Sequence, residues 1–491
     1  MASQIAAPEA PPPLLQVAQG YDFLSDGRVD DALREADAAL ARSPELVDAL
    51  MLRGACLKAK GQFAEAIAAF QAGLDIEPNR AAAYVSLANA HAELGDLAPA
   101  EAALRQAIAL SPRLKAAHGS LISVCAMLRR DDLTQAACEA ALAVDPQSVN
   151  AHQHLADLHE RAGRSEQARR HRDAAYRRQN IFIERATRPA PTALVLLTTE
   201  DGNIPVKYLL SRDRYTIVKW LIDYATPDQA ARLPRYDVVL NAVADPDVAP
   251  DSHIAIERFR PTCNAPFLNR PDRVARTSRT RLPGLLADLP DVVVPPSVAW
   301  ESGEPLPLLG WPVLIRPVGS HGGEGVVRVE SEAEFAEAAL LHRRWIVTSF
   351  HDFASPDGQF RKYRAIFIDR RPYPYHLAIG EKWLVHYVTT NMVGDARLRM
   401  EERRFLDEPD RAIGARAMAA LAAIGARLDL DYAGIDFAVL ADGSVLVFEA
   451  NATMVVHPEA EGGLLEYKNW AVAEILAAFD SMAVPVSSRE P

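Results

Sequence analysis

Pro44, Pro78, Pro112 and Pro146 recur at an interval of 34 residues, and Gly27, Gly61, Gly95 and Gly163 keep the same interval, with Arg129 where one glycine is missing. Two residue series in register require a repeated supersecondary unit rather than one closed core. Between them run small or aromatic residues at helical spacing, such as Ala66, Phe70 and Gly73 in one unit and Ala100, Leu104 and Ala107 in the next. Each set marks one helix face. A unit of this size buries that face only against a neighbour, so the units must stack.

The pattern resembles the tetratricopeptide repeat, a helix-turn-helix unit with glycine at the turn and proline after the second helix. About five units fit residues 13 to 180, and the arginine-rich RRHRDAAYRRQ follows as a basic cap. The resemblance implies an elongated superhelix whose concave surface holds a peptide or protein segment. The cap reads as a solvated end helix or as a contact for an acidic peptide. His91, His118, His152, His154 and His159 fall in these helices. His118 and His152 are one period apart, so packing at an equivalent helix interface explains them better than a metal site.

The composition changes after Arg188-Pro189-Ala190-Pro191, where alanine-rich helical sequence gives way to ALVLLTT, a β-rich apolar run. Short apolar strands then alternate with helical segments such as DRAIGARAMAALAAIGARL, an α/β or α+β pattern. Length allows about three domains. Residues 1–12 read as a disordered lead-in, 13–185 as the repeat domain, 192–300 and 301–485 as two further subdomains, and 486–491 as a disordered tail. The formal net charge of -12 argues against a nucleic-acid or anionic-membrane partner. No window approaches a membrane-spanning apolar run. The N-terminus lacks a basic-then-apolar secretion signal, and Cys56, Cys125, Cys138 and Cys263 show no zinc or disulfide spacing. A soluble cytoplasmic protein is expected.

RPVGSHGGEGVVRV, Arg316–Val329, is rich in glycine but lies between two β-like runs, PVLIRPV and GVVRV. Phosphate-binding loops of the P-loop and dinucleotide kinds need a helix after the loop. The glycines therefore read as a hairpin tip, either plainly mobile or with backbone amides free to curl over an anion. Further on, GIDFAVLADGSVLVFEAN carries two strands joined by Asp442-Gly443, a two-residue hairpin signal. Counting back from that turn puts Asp436 opposite Glu449 and Gly434 opposite Asn451, with Ile435, Phe437, Val439, Leu446 and Phe448 on the other face. Like charges directly opposite are destabilising. Either a hard cation such as Mg2+ compensates them, or a carboxylate is exposed or pairs with an arginine.

Together these hairpins resemble the ATP-grasp superfamily, in the branch of carboxylate-amine ligases with a glutathione synthetase-like fold, over residues 192–485. The implied architecture is an α+β multidomain chain: an all-α tetratricopeptide solenoid, a pre-ATP-grasp α/β subdomain and an ATP-grasp fold. The resemblance implies that ATP and two Mg2+ ions are cofactors and that Asp436, Glu449 and Asn451 hold the ions. It makes Arg316 and Arg364 catalytic, Arg364 as the arginine that steadies the transferred phosphate. ATP would be held by Arg279, Arg316, Ser320, His321, Gly322, Gly323, Gly325, Thr348, Phe350 and His351. Arginine stands at 279 and 316 where the family has lysine, and TSFHDF lacks the family's hinge glutamate. Asn391 would lie near the ions, and Lys382, His386 and Tyr387 could read substrate or merely pack.

The implied chemistry is amide formation through an acyl phosphate, with a small amino acid or amine as co-substrate, and the fusion to the repeats suggests a substrate presented on the peptide or protein segment they hold. Other readings remain: a phosphotransferase that stops at a phosphorylated product, a degenerate ATP-binding interaction scaffold, or an enzyme of small metabolites whose repeats only form a homo-oligomer.

Overall fold

In a computed structural model of the chain, the 34-residue period becomes five helical hairpins. They are α1 (Pro13–Ser25) with α2 (Val29–Arg42), α3 (Val47–Ala59) with α4 (Phe63–Ile76), α5 (Ala81–Leu94) with α6 (Leu97–Leu110), α7 (Lys115–Met127) with α8 (Asp131–Val144), and α9 (Val149–Arg161) with α10 (Ser165–Tyr176). The structure describes residues 11–200, 202–320, 323 and 325–483, so most of the expected lead-in and tail lies outside the described residues. Each hairpin turns on a left-handed residue: Gly27, Gly61, Gly95 and Gly163 have φ of 77°, 76°, 90° and 69°, and Arg129 takes φ 54° in the same place. Ala66, Phe70, Ala100, Leu104 and Ala107 are buried, as one packed face per helix requires. RRHRDAAYRRQ is no separate cap, because most of it forms α10, the second helix of the fifth hairpin.

This helical unit ends at Gln179, and a second compact unit begins at Asn180. The boundary thus precedes the expected residue 185, because β1 (Ile181–Glu184) already belongs to a sheet of the second unit. That sheet continues with β2 (Thr192–Leu197), β3 (Thr216–Leu221), β4 (Val238–Asn241) and β5 (Phe267–Leu268) in the order β1-β3-β2-β4-β5. β1 is antiparallel to β3, and the other pairings are parallel. Both faces are apolar, as a parallel sheet demands. Leu194, Leu196 and Val218 pack with Ile256 and Phe259 of α11 (Pro250–Phe259), while Ala193, Val195 and Ile217 join the main core of the unit. Two short helices, α12 (Pro271–Val274) and α13 (Leu282–Leu286), follow.

After β6 (Val292–Val293), the strands β7 (Ser297–Glu301), β8 (Val313–Pro317), β9 (Val327–Val329) and β10 (Arg344–Ser349) build an antiparallel sheet in the order β7-β10-β8-β9. It begins four residues before the expected subdomain boundary at 301. Val313, Ile315, Trp345 and Val347 pack against Phe335 of α14 (Glu332–Ala338). Alternation along the strands sends Arg316 and Thr348 to the opposite face.

The third sheet holds β11 (Phe360–Ile368) and β12 (Arg371–Gly380), then, beyond the helices α15 (Ala396–Asp407) and α16 (Pro409–Leu428), β13 (Tyr432–Val439) and β14 (Val445–Asn451). Its order is β12-β11-β13-β14-β6. One face packs Ile435, Phe437, Val445 and Val447 into the main core with Phe405, Leu421, Ile424 and, from α17 (Asn469–Ala483), Phe479. The other face carries the polar residues described below. Among the described residues, no helix is long and apolar enough to cross a membrane.

Candidate functional site

The hairpin of β13 and β14 turns on three residues rather than two. Leu440 and Ser444 close the loop, Gly443 N–H donates to Leu440 O at 2.8 Å, and Gly443 has φ 84°, the usual place of glycine in a three-residue turn. This shifts the pairing by one residue near the turn, where Phe437 faces Val447 and Ala438 faces Leu446. A bulge at Phe448 then restores it, so Asp436 faces Glu449 and Gly434 faces Asn451 as expected. The apolar assignment changes with it. Val445 and Val447 share the core face with Phe437, whereas Leu446 and Phe448 lie with Ala438 and Phe353 on the face of Asp436.

Across the third sheet one row then reads His376 on β12, Arg364 on β11, Asp436 on β13 and Glu449 on β14, each facing the next in register. Arg364 grips Asp436 with both arms of its fork, Nε to Oδ1 at 2.6 Å and Nη2 to Oδ2 at 3.0 Å. Lys362 Nζ adds a bond to Oδ2 at 3.0 Å. Glu449 receives Arg279 Nη2 at 3.1 Å, and Arg316 Nη1 reaches within 3.8 Å from the second sheet. Asp436 is only 3% exposed. Burial favours its neutral form, but Arg364 and Lys362 more than offset this and hold the carboxyl well below the usual carboxylate range. Burial likewise opposes the charge of Glu449, and Arg279, with Arg316 and Arg364, outweighs both burial and the repulsion of Asp436. The arginine alternative weighed from the sequence is thus realised at both carboxylates.

Arg316 has the opposite problem. Burial, then the charge of Arg279, push it down to about 10. Its guanidinium is tied back to the root of the glycine hairpin, where Nη2 donates to Ser320 O at 3.2 Å. β8 and β9 pair as expected on either side of that tip, and Gly319, Gly323 and Gly325 have φ of 80°, 81° and 67°. His321 and Gly322 lie outside the described residues.

At the expected adenine hinge, Thr348 Oγ1 is hydrogen-bonded to Ser297 Oγ at 2.8 Å. Phe350 meets Trp383 edge-on at 5.9 Å and lies under the Arg328 guanidinium at 4.0 Å. Phe353 packs against Phe448 with ring centroids 4.8 Å apart and planes tilted by 59°, so an aromatic floor adjoins the charged row. His351 is exposed.

The segment containing Lys382, His386, Tyr387 and Asn391 is a loop with one 3-10 turn, Tyr387–Thr389, rather than the amphipathic strand its alternation suggests. His386 feels the cluster: burial, then the charges of Lys362 and Arg364, lower its pKa. Tyr387 is turned away to packing, because its hydroxyl donates to buried Glu402 at 3.0 Å and its ring lies 4.2 Å from Lys468 Nζ. Lys382 and Asn391 are exposed, and among the described residues neither side chain reaches the cluster. Asn451 Oδ1 accepts from Thr453 N and Oγ1 at 3.0 and 2.9 Å, which closes a local turn.

Sequence reasoning missed Lys362, although the two-residue period of a strand places it on the face of Arg364. It also missed His376 and Trp383, for which only strand pairing and loop folding give the signal.

Two family models, each described as tetratricopeptide repeat, match residues 17–81 and 57–121. The N-terminal unit is a tetratricopeptide solenoid. Solved structures similar to it include MamA protein, 23% identical with TM-score 0.31 over 33% of this chain and 89% of that one. Another is a thermophilic tetratricopeptide protein of Thermus thermophilus, 24% identical with TM-score 0.29 over 33% and 89%. A third, YrrB, described as having an unusual peptide-binding site, is 19% identical with TM-score 0.29 over 33% and 84%. No curated protein matches the chain.

Within the tetratricopeptide solenoid, His118 and His152 hold equivalent places. His118 Nε2 is 2.9 Å from Pro112 O, and His152 Nε2 is 3.2 Å from Pro146 O. Each imidazole thus braces a carbonyl at the start of its own repeat, the interface role expected from the shared period. His152 also meets His171 of α10, Nδ1 to Nδ1 at 2.8 Å.

Proposed function

We propose that the second unit is an ATP-dependent carboxylate-amine ligase of the ATP-grasp kind, and that the tetratricopeptide solenoid holds a peptide or protein bearing one substrate. The observation that carries this reading is the row of Arg364, Asp436 and Glu449, with Arg279, Arg316 and Lys362 converging on it. In the row itself four cations, Arg279, Arg316, Lys362 and Arg364, meet two carboxylates, Asp436 and Glu449, with buried Asp245, whose charge reaches Arg316, and Asp247, at the Arg279 backbone, beyond them. Such an excess suits a polyanion. The aromatic floor beside it suits a base, and a glycine-rich hairpin rooted at Arg316 and Ser320 is the kind of segment whose backbone amides can curl over an anion. Nucleotide phosphates fit this combination better than a simple anion does.

The oxygen donors of Asp436, Glu449 and Asn451 are those a magnesium ion takes. The ion would neutralise charge on the phosphates and polarise the transferred phosphoryl group. Arg316 and Arg279 would bind phosphate oxygens, Arg364 would steady the acyl phosphate, and the hairpin would exclude water from it. The amine then displaces phosphate, so no covalent enzyme intermediate is needed.

The test is ADP release from the full chain with hydroxylamine present, across candidate carboxylates. Hydroxamate should form, and Glu449→Gln should remove it. A stable phosphorylated product without any amine would instead mark a phosphotransferase. The scaffold reading draws on the pairing of both carboxylates with side-chain cations, and failure to bind Mg-ATP at millimolar concentration would favour it.

A further inference from the structure

The two carboxylates facing each other across the hairpin are not equivalent. Asp436 receives three hydrogen bonds from two cations, a guanidinium fork and an ammonium, on both of its oxygens. Among the described residues Glu449 receives one, from Arg279 to Oε2, with Arg316 farther off. The backbone enforces the difference. Arg364 faces Asp436 directly in register, and Lys362 is two residues ahead on the same strand and face. The strand partner of Lys362 on β12 is Ala378, and Ala438, one place beyond Phe437 on β13, lies on the same face. These small apolar neighbours bring no second acid to Lys362, so Asp436 is the carboxylate it reaches. Both cations are largely buried, their side chains 17% and 21% exposed. A divalent ion on Asp436 would have to displace two buried cations and then lie beside them, which both desolvation and repulsion oppose.

Resting on the ATP reading above, we infer that Lys362 and Arg364 replace one of the two divalent ions, so that nucleotide binds with a single ion held through Glu449. Lys362 is then a built-in cation: its charge is supplied by the fold at every metal concentration.

The experiment counts Mn2+ bound to the full chain, by the loss of the free-ion electron paramagnetic resonance signal, at saturating non-hydrolysable ATP analogue. The wild type should bind one ion per nucleotide. Lys362→Met should bind about two, because Oδ2 of Asp436 then keeps only its bond from Arg364 and regains a lone pair for an ion. Asp436→Asn should still bind one, and Glu449→Gln should bind none. A wild-type count of two, a Lys362→Met count that stays at one, or loss of the ion in Asp436→Asn would each overturn the inference while leaving the nucleotide reading intact. If Lys362→Met does not fold, as judged by circular dichroism, the Asp436→Asn count decides. Absence of analogue binding to the wild type would overturn the ATP reading itself, and this inference with it.

Discussion

Arg316 carries its charge where burial and the neighbouring Arg279 both oppose it, with Glu449 at 3.8 Å as partial relief. Such a residue is retained at a cost in the ligand-free state that an arriving anion removes. Arg316→Met should therefore leave the ligand-free protein as stable as before, or raise its stability by about 1 kcal/mol, while Mg-ATP affinity falls tenfold or more on the scale of about 1.4 kcal/mol per decade. Calorimetric melting and isothermal titration check the two halves, and a loss of stability together with binding would mark Arg316 as structural instead. Arg129 is strained for a local reason. It fills a left-handed turn that glycine fills in the other repeats, so Arg129→Gly should raise the stability of the solenoid by about 1 kcal/mol, read from a denaturant midpoint. That strain is visible in the sequence as a gap in a glycine series. Lys362 is visible less directly, since its role depends on which of several basic residues a neighbouring strand brings opposite an acid.

Secondary-structure elements carry the site through register, and here two local irregularities compensate each other. The third residue in the turn, Ala441-Asp442-Gly443, and the bulge at Phe448 each shift β14 by one place, in opposite senses. The facing of Asp436 and Glu449 was therefore legible from the sequence although the turn was not. The placement of Leu446 and Phe448 was not legible, because the extra turn residue moves the first and the bulge the second, and neither leaves a mark in an alternating pattern. The same sheet depends on a close approach from behind. A methyl group at Gly425 of α16 would run into the carbonyl oxygen of Arg370 and the ring of Phe367. A backbone oxygen cannot yield as a side chain can, so Gly425→Ala should lift α16 from β11 and destabilise the second unit by about 2 kcal/mol or more. Urea unfolding followed by tryptophan fluorescence measures it, and a neutral result would mean that the helix can slide.

At the scale of the whole molecule, the change from a helical period to alternating strands located the two units, but not their junction. The sequence puts residues up to 185 in the repeat domain, whereas Ile181–Glu184 is the edge strand of the first sheet, paired along its length with β3. Asn180 anchors it, with Nδ2 donating to Tyr224 O at 2.9 Å and its own carbonyl accepting from Leu221 N at 2.8 Å. A chain starting at Asn180 should therefore melt in one cooperative transition, and one starting at Ala186 should lose about 2 kcal/mol and aggregate through the bared edge of β3. Scanning calorimetry of the two truncations distinguishes them. The longer one also separates the roles of the units: it should still form hydroxamate from a free carboxylate and lose activity on a peptide-linked one. On the proposed function, binding to the solenoid would make delivery to the site intramolecular, and that gain in effective concentration would disappear with residues 1–179. Full kcat/KM on the peptide-linked substrate without the repeats would show that the solenoid presents nothing to the second unit.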